Sequence, residues 1–303
     1  FLTRRITRDG VSHAGADCMI AVVLSSQGHL YGDANRALIR RLHEKDYMPI
    51  VLTAERDAPP GRLLFSRLEQ LRALGCHRLI HVGFAGTEDI TEDDAVREVI
   101  LNEFDQRIQV GGAAGPQPEW NMHWVSVDLK EAHRLAVDHL AALGHERIAY
   151  LGGETFGDFE WSRSNRAYVK AYANAMIDAS LAEDIQVLCF SVEPDKEEPR
   201  RKQLEAVVCN RGVTALCSMM DYRTALARKE LRELGVQVPN EVSLVGLYNT
   251  PWSEHEDLTS VDANISGMAE EVSALLDLPP NTASETRFVK PSLVVRHSSG
   301  KRE

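Results

Sequence analysis

Two rhythms of apolar residues alternate along this chain. Short unbroken apolar runs, such as 19–24 (MIAVVL), have the look of parallel strands covered on both faces. Between them, apolar residues return every three or four positions. Over 33–45, for example, Ala34, Ala37, Leu38 and Leu42 share one face of a helix. Read this way, the pattern predicts strands over 19–24, 49–53, 79–82, 108–110, 124–127, 147–151, 186–190, 213–217, 242–247, 259–261 and 292–296. It predicts helices over 33–45, 62–74, 95–104, 131–143, 166–179, 202–210, 224–234 and 266–276. The Gly- and Pro-rich stretch 111–119 reads as a loop. Regular alternation with short connections implies parallel sheets built by right-handed crossovers.

One phrase occurs in both halves. LEQLRALGCHRLIHVG (68–83) aligns with VDHLAALGHERIAYLG (137–152), so Leu71, Leu74, Gly75 and Arg78 match Leu140, Leu143, Gly144 and Arg147. A looser copy, ELRELG followed by VPNEVSLVG, occupies 230–246. Each is an amphipathic helix, a glycine stop and an apolar strand. The fold class expected from this repetition is α/β, with two doubly wound parallel-sheet lobes.

Composition narrows the picture. A chain of 303 residues accommodates two domains of ordinary size, and 44% hydrophobic with 26% charged residues suits a globular protein with a real core. No apolar run approaches the ~20 residues of a membrane helix, and the polar start FLTRRITRDGVSHAGAD has no signal-peptide core. Cys18, Cys76, Cys189, Cys209 and Cys217 are scattered and form no C-x-x-C pair, which suits reduced thiols and a cytoplasmic location. A net charge of -11 argues against nucleic-acid binding by these residues themselves. His123, His133, His139 and His145 form no H-E-x-x-H pair, and GGAAGP lacks the setting of a phosphate loop. No metal, cofactor or enzyme activity is expected. His145 is expected to meet the last carbonyls of the preceding helix.

HLAALGHERIAYLGG (139–153), VPNEVSLVGL (238–247), LTSV (258–261) and PSLVVRHSS (291–299), in this order and spacing, resemble the effector-binding core of lactose-repressor-type transcriptional regulators. The resemblance spans roughly 17–299 and implies the fold of periplasmic sugar-binding proteins (type I), with lobes joined by a multi-strand hinge. It implies an N-terminal lobe of 17–127 plus 262–287 and a C-terminal lobe of 128–261 plus 288–303. Residues 1–16, with Arg4, Arg5 and Arg8, resemble a linker left after a DNA-binding headpiece.

In such folds ligands meet the carboxyl ends of the strands, here across an interlobe cleft. The residues following the strands are therefore the candidates: Ser26, Tyr31, Phe84, Trp161, Ser162, Arg166, Asp221, Tyr248 and Asn249. Aromatic faces suit the C–H surface of a sugar, and amide and charged groups suit its hydroxyls. By the resemblance, Arg166 occupies the position of an arginine that forks onto ligand oxygens. Asp221 has two readings of equal weight, ligand contact and cap of the following helix. Met220 replaces a family asparagine, and Tyr248 and Asn249 replace family aspartates; that change suggests a ligand with fewer hydroxyls, or more negative charge, than a neutral sugar. Tyr248 has packing in the wall as its plainer reading.

The function these readings favour is the ligand-sensing core of a bacterial regulator. It would bind a sugar or sugar derivative, dimerise, and control operator binding through a headpiece outside this chain. The alternative is an exported solute-binding protein of a sugar transporter.

Overall fold

The computed structural model describes residues 5–7, 10–12, 18–24, 32–53, 60–83, 94–112, 115, 121–153 and 163–302. The chain divides into two compact units, Phe1–Ser126 with Ile265–Phe288, and Val127–Asn264 with Val289–Glu303.

The first unit begins with a short antiparallel hairpin, β1 (Arg5–Thr7) and β2 (Gly10–Ser12). Next come β3 (Met19–Leu24), α1 (Gly32–Glu44), β4 (Met48–Thr53), α2 (Pro60–Ala73), β5 (Arg78–Val82), α3 (Asp94–Glu103), β6 (Gln106–Val110) and β7 (His123–Val127). Its six-stranded sheet has the order β13-β7-β6-β5-β3-β4, with β13 (Thr286–Val289) returning from the far end of the chain. The parallel register sets Ile20 against Pro49 on one side and Arg78 on the other. Alternation along β3 divides the core between two faces. Met19, Ala21 and Val23 pack with Leu79 against Leu68 and Leu71 of α2, Ile100 of α3 and Phe104 just past its end. Ile20 and Val22, fully buried, point to the opposite face.

The second unit follows the same plan. Its elements are α4 (Leu129–Ala142), β8 (Ile148–Gly152), α5 (Arg163–Asp178), β9 (Gln186–Cys189), α6 (Glu197–Glu205), β10 (Ala215–Ser218), α7 (Asp221–Glu233), β11 (Ser243–Leu247), α8 (Pro251–His255) and β12 (Thr259–Asp262). The chain then crosses to α9 (Ile265–Leu276) in the first unit and returns with β14 (Ser292–Val294). The sheet order is β14-β12-β11-β10-β8-β9, and β14 alone among these described strands runs antiparallel to its neighbour. One face carries an apolar core of Ala149, Leu151, Leu188, Leu204, Leu216, Ala227, Leu231 and Leu244. On the other, Tyr150 meets Tyr172 of α5 and His133 of α4.

The repeated phrase has a single backbone solution. Gly75, Gly144 and Gly235 all adopt φ between 77 and 89°, where a side chain would be strained. At each, the glycine N–H bonds back three residues, to Arg72, Ala141 and Arg232, and the next N–H bonds back five, to Leu71, Leu140 and Leu231. These paired bonds use the last helix carbonyls and turn the chain into the following strand. Asp128 opens α4 as its N-cap, accepting from the Glu131 N–H at 3.1 Å.

The His145 expectation is corrected. Its ring leaves the helix end and sits buried at the amino edge of the second sheet. There it bonds Thr214 Oγ1 (3.0 Å), Ser243 Oγ (2.9 Å) and the Gly300 carbonyl (3.1 Å). The tail 298–302 is clasped to the same edge: Leu244 N–H donates to the Ser298 carbonyl and Arg302 N–H to that of Leu143. Helix capping needs an exposed carbonyl, and here the paired glycine bonds have already used them.

Candidate functional site

At the carboxyl edge of the second unit's sheet, two helix starts and two strand ends converge on buried polar groups. Asp221, the first residue of α7, is wholly buried. Its Oδ1 accepts from Ser260 Oγ (2.6 Å) in β12, and its Oδ2 from the Thr250 N–H (2.6 Å) and Thr250 Oγ1 (2.9 Å) in the turn after β11. The carboxylate lies so close to β11 that a Cβ on Gly246 would stand 2.1 Å from Oδ1. Met220, not Asp221, is the N-cap of α7, and no side chain caps that helix. The helix-cap reading of Asp221 is therefore replaced by a cross-link between α7, β12 and the turn.

Burial pushes the Asp221 carboxyl up from 3.8 to about 6, against the pull of the Ser260 and Thr250 donors and the Arg296 charge. The turn it holds is unusual. Tyr248 and Asn249 have φ of 91 and 50°. Asn tolerates this region, but an aromatic residue there is an outlier whose strain costs about 1–3 kcal/mol. Hydrogen bonds hold it in place: Tyr248 N–H to the Val261 carbonyl (2.7 Å) and Asn249 N–H to Ser260 Oγ (3.1 Å). The Asn249 amide donates to Asp262 Oδ2 (3.1 Å) and accepts from Arg296 Nη2 (2.8 Å) and Ser253 Oγ (3.1 Å).

Beneath the turn lies a buried aromatic cluster. The Tyr248 hydroxyl bonds that of Tyr168 in α5. Tyr168 packs against the His133 ring at 6.0 Å between centroids, and Tyr150 stacks on Tyr172 at 5.0 Å. His133 Nδ1 faces the Leu129 carbonyl (2.8 Å), an acceptor only, so Nδ1 carries the proton and Nε2 accepts from the Tyr150 hydroxyl (3.2 Å). Burial lowers the His133 imidazole to about 4 and raises the Tyr168 phenol to about 12, leaving both neutral near pH 7. A second close approach occurs at β8, where the buried Asn165 amide crosses Gly153; a Cβ on that glycine would stand 2.2 Å from Asn165 Oδ1.

Among the expected site residues, the structure brings Asp221, Tyr248 and Asn249 into one network, and each has its polar side-chain atoms engaged within the unit. Arg166 stands exposed in the first turns of α5. Ser26, Tyr31, Phe84, Trp161 and Ser162 lie outside the described residues. The residues that sequence reasoning missed are Thr250, Ser260, Asp262, Arg296 and Tyr168. Ser260 and Arg296 lay in quoted motifs, LTSV and PSLVVRHSS, but nothing in their spacing pointed to Asp221, 39 positions before Ser260, or to Asn249, 47 before Arg296.

A family model described as periplasmic binding protein-like domain matches residues 137–299, more than half of the chain, and the chain belongs to that family. The relatives that it matches in sequence are transcriptional regulators, and its fold is shared with LacI regulators of known structure. The regulator DegA of Bacillus subtilis is 25% identical over 290 residues, covering 93% of this chain and 80% of that protein. GalR of Escherichia coli (strain K12) is 29% identical over 187 residues, covering 60% of this chain; the chain thus spans about half of that relative, 52%. Among solved structures, a LacI transcriptional regulator from a Rhodococcus species superposes with a TM-score of 0.74 at 19% identity, covering 93% of this chain and 98% of that one. The lac repressor dimer bound to operator and the anti-inducer ONPF gives 0.72 at 20%, covering 93% and 94%. A LacI family regulator from Enterococcus faecium with bound ribose gives 0.72 at 17%, covering 94% and 100%.

Proposed function

We propose that this chain is the ligand-sensing core of a bacterial, cytoplasmic transcriptional regulator. It takes a small effector, a sugar or sugar derivative, at the carboxyl ends of its strands and passes the binding energy to DNA-reading parts of a homodimer. The observation that carries this reading is the family match over more than half of the chain, joined to named relatives that are transcriptional regulators. The bound ribose of the Enterococcus relative supports a carbohydrate class. An exported solute-binding protein shares the fold, but the regulator relatives favour the sensor.

Ser26, Tyr31, Phe84, Trp161, Ser162 and Arg166 are proposed to touch the effector. Asp221, Tyr248 and Asn249 shape the floor beneath it. Regulation then follows from differential affinity: an effector shifts the protein toward whichever state it binds better.

A thermal-shift screen against sugars, sugar acids, sugar phosphates and nucleobases tests the reading. A ligand at 100 times its Kd adds about 2.7 kcal/mol of stability. The expected result is a sugar-class hit that Arg166→Ala abolishes. A hit indifferent to Arg166→Ala refutes the site, and the absence of any hit from folded protein refutes the small-effector reading.

A further inference from the structure

At the amino edge of the second unit's sheet, two histidines seat one short segment of chain. His139, in the last turn of α4, meets Ser299 Oγ through Nε2 at 2.8 Å, and Ser299 Oγ meets Thr259 Oγ1 at 2.8 Å. His145, just past the helix, is buried and bonds the Gly300 carbonyl through Nε2 at 3.1 Å. A carbonyl only accepts, so Nε2 carries the proton and Nδ1 accepts from the Thr214 hydroxyl (3.0 Å). The segment runs on to Arg302, whose N–H donates to the Leu143 carbonyl (2.9 Å) and whose Cβ lies 3.7 Å from where a side chain on Gly144 would begin. Its fixed end is Ser298, fully buried, which takes the Thr259 N–H on its hydroxyl and the Leu244 N–H on its carbonyl. Residues 299–302 are half-buried or exposed.

Both rings resist a proton where they sit. Burial lowers the pKa of each; at His145 the Gly300 carbonyl opposes and the Arg302 charge assists, and the His145 charge adds to the effect at His139. The surrounding elements bring Asp138 on α4, Glu146 and Arg147 ahead of β8, Arg211 ahead of β10, Glu241 ahead of β11, Asp257 ahead of β12, and His297 and Lys301 beside the segment. Asp138 pairs with Arg134 (2.6 Å), Asp257 with His297 (2.6 Å), and Glu241 takes the Gln237 N–H (2.7 Å). Among the described residues no carboxylate bonds either ring. We propose that 299–302 is an acid-released strap, seated while His139 and His145 are neutral and let go from Ser298 onward when they take up protons. Charging a seated ring breaks none of its bonds: it still donates to Ser299 or Gly300, and the Thr214 hydroxyl turns to accept. What the charge meets is burial, the other ring and Arg302. The strap supplies part of that cover and one of those charges, so its departure removes both. Protons are therefore bound more tightly in the released form, and acid drives release. The window opens below the ordinary histidine value of 6.5, where released rings charge and seated ones resist. The strap stands apart from the effector site and does not depend on the sensor reading.

The test needs no effector. Amide hydrogen exchange of the whole chain, read by NMR from pH 7.5 to pH 5.5 and corrected for intrinsic rates, reports the seating of the strap directly. The reporters are the Gly300 and Arg302 N–H groups, bonded to Ser243 Oγ and the Leu143 carbonyl. Across that range their opening is expected to rise about tenfold for each ring, about a hundredfold together, with Leu244 and Val245 of β11 unchanged. Glutamine keeps an amide where the ring stood but takes no proton. His139→Gln and His145→Gln are each expected to cut the rise to about tenfold, and the double variant to abolish it. His139→Gln, at the less buried ring, stands if the other variant fails to fold. A flat wild-type response overturns the strap. So does an undiminished rise in His139→Gln, or a rise shared by Leu244 and Val245, which marks unfolding of the sheet rather than release of one segment.

Discussion

The two edges of the second unit's sheet are both closed by buried polar networks, and they are built to opposite ends. At the amino edge, His145 joins Thr214, Ser243 and Gly300, while Ser298 both donates to the Leu244 carbonyl and accepts from the Thr259 N–H. Burial lowers the His145 pKa, with the Gly300 carbonyl opposing and Arg302 assisting, which favours the neutral ring. The backbone there is relaxed, its one left-handed residue in the motif being glycine. At the carboxyl edge, a buried acid raised to about 6 holds a turn that contains a left-handed tyrosine. At one edge the helix–glycine–strand turn follows the local rules; at the other a left-handed tyrosine and a buried acid depart from them and are held by hydrogen bonds. Such local violations concentrate where a fold is asked to do something besides fold.

The sharpest way to break this contrast is at the amino edge. His145→Ala deletes a buried ring and strands three partners, and is expected to cost about 3–4 kcal/mol in chemical denaturation. A loss below about 1 kcal/mol would mean that the clasp is incidental. Next in size is Gly246→Ala, whose methyl would stand 2.1 Å from Asp221 Oδ1. Forcing that carboxylate off its three donors should cost about 3 kcal/mol, and Asp221→Asn in the same background should not recover it, because the clash is steric.

The pH dependence sharpens the comparison further. Asp221 has a folded pKa of about 6 against an ordinary 3.8, so the folded state holds a proton that the unfolded state has already released. Its contribution to stability is full below about pH 4 and is lost as pH rises through about 6, with an upper bound of about 3 kcal/mol. The stability of Asp221→Asn relative to the wild type should therefore improve from pH 4.5 to pH 7.5, by urea denaturation at each pH. A flat difference would show the acid to be charged throughout. Smallest of all, Arg166→Ala changes an exposed side chain and should move stability by no more than about 0.5 kcal/mol, while removing effector binding. A large stability loss would make Arg166 structural.

Much of the fold was legible because its signals are local. The three helix–glycine–strand phrases share one backbone conformation, and the repeated pattern of Leu71–Gly75 and Leu140–Gly144 reflects the same pair of hydrogen bonds. Buried parallel strands such as 19–24 announce themselves as apolar runs. The elements that escaped lack those signals. β13, TRFV, leaves Phe288 more than half exposed and pairs at a sheet edge, so it carries no apolar run. α8 is a five-residue turn opened by Pro251. The helix expected over 202–210 starts earlier and ends in a π-helical turn, Ala206–Asn210, because α6 opens at Glu197 on solvated acidic residues. The candidate site was legible only in outline. Position after a strand picks out Asp221, Tyr248 and Asn249, but Asp262, Thr250, Ser260 and Tyr168, which define their roles, bond them across 11 to 80 residues of sequence. Side-chain pairing across strand ends leaves no periodic trace.

In the proposed sensor, effector binding registers at the carboxyl edge of the second unit and not at its amino edge. The most direct measurement compares amide exchange of the chain with and without a saturating sugar ligand identified by thermal shift. Altered exchange is expected at 249–250 and in the first turn of α5, with Leu244 and Gly300 unchanged. A response confined to the His145 clasp, or spread evenly over both edges, would contradict it.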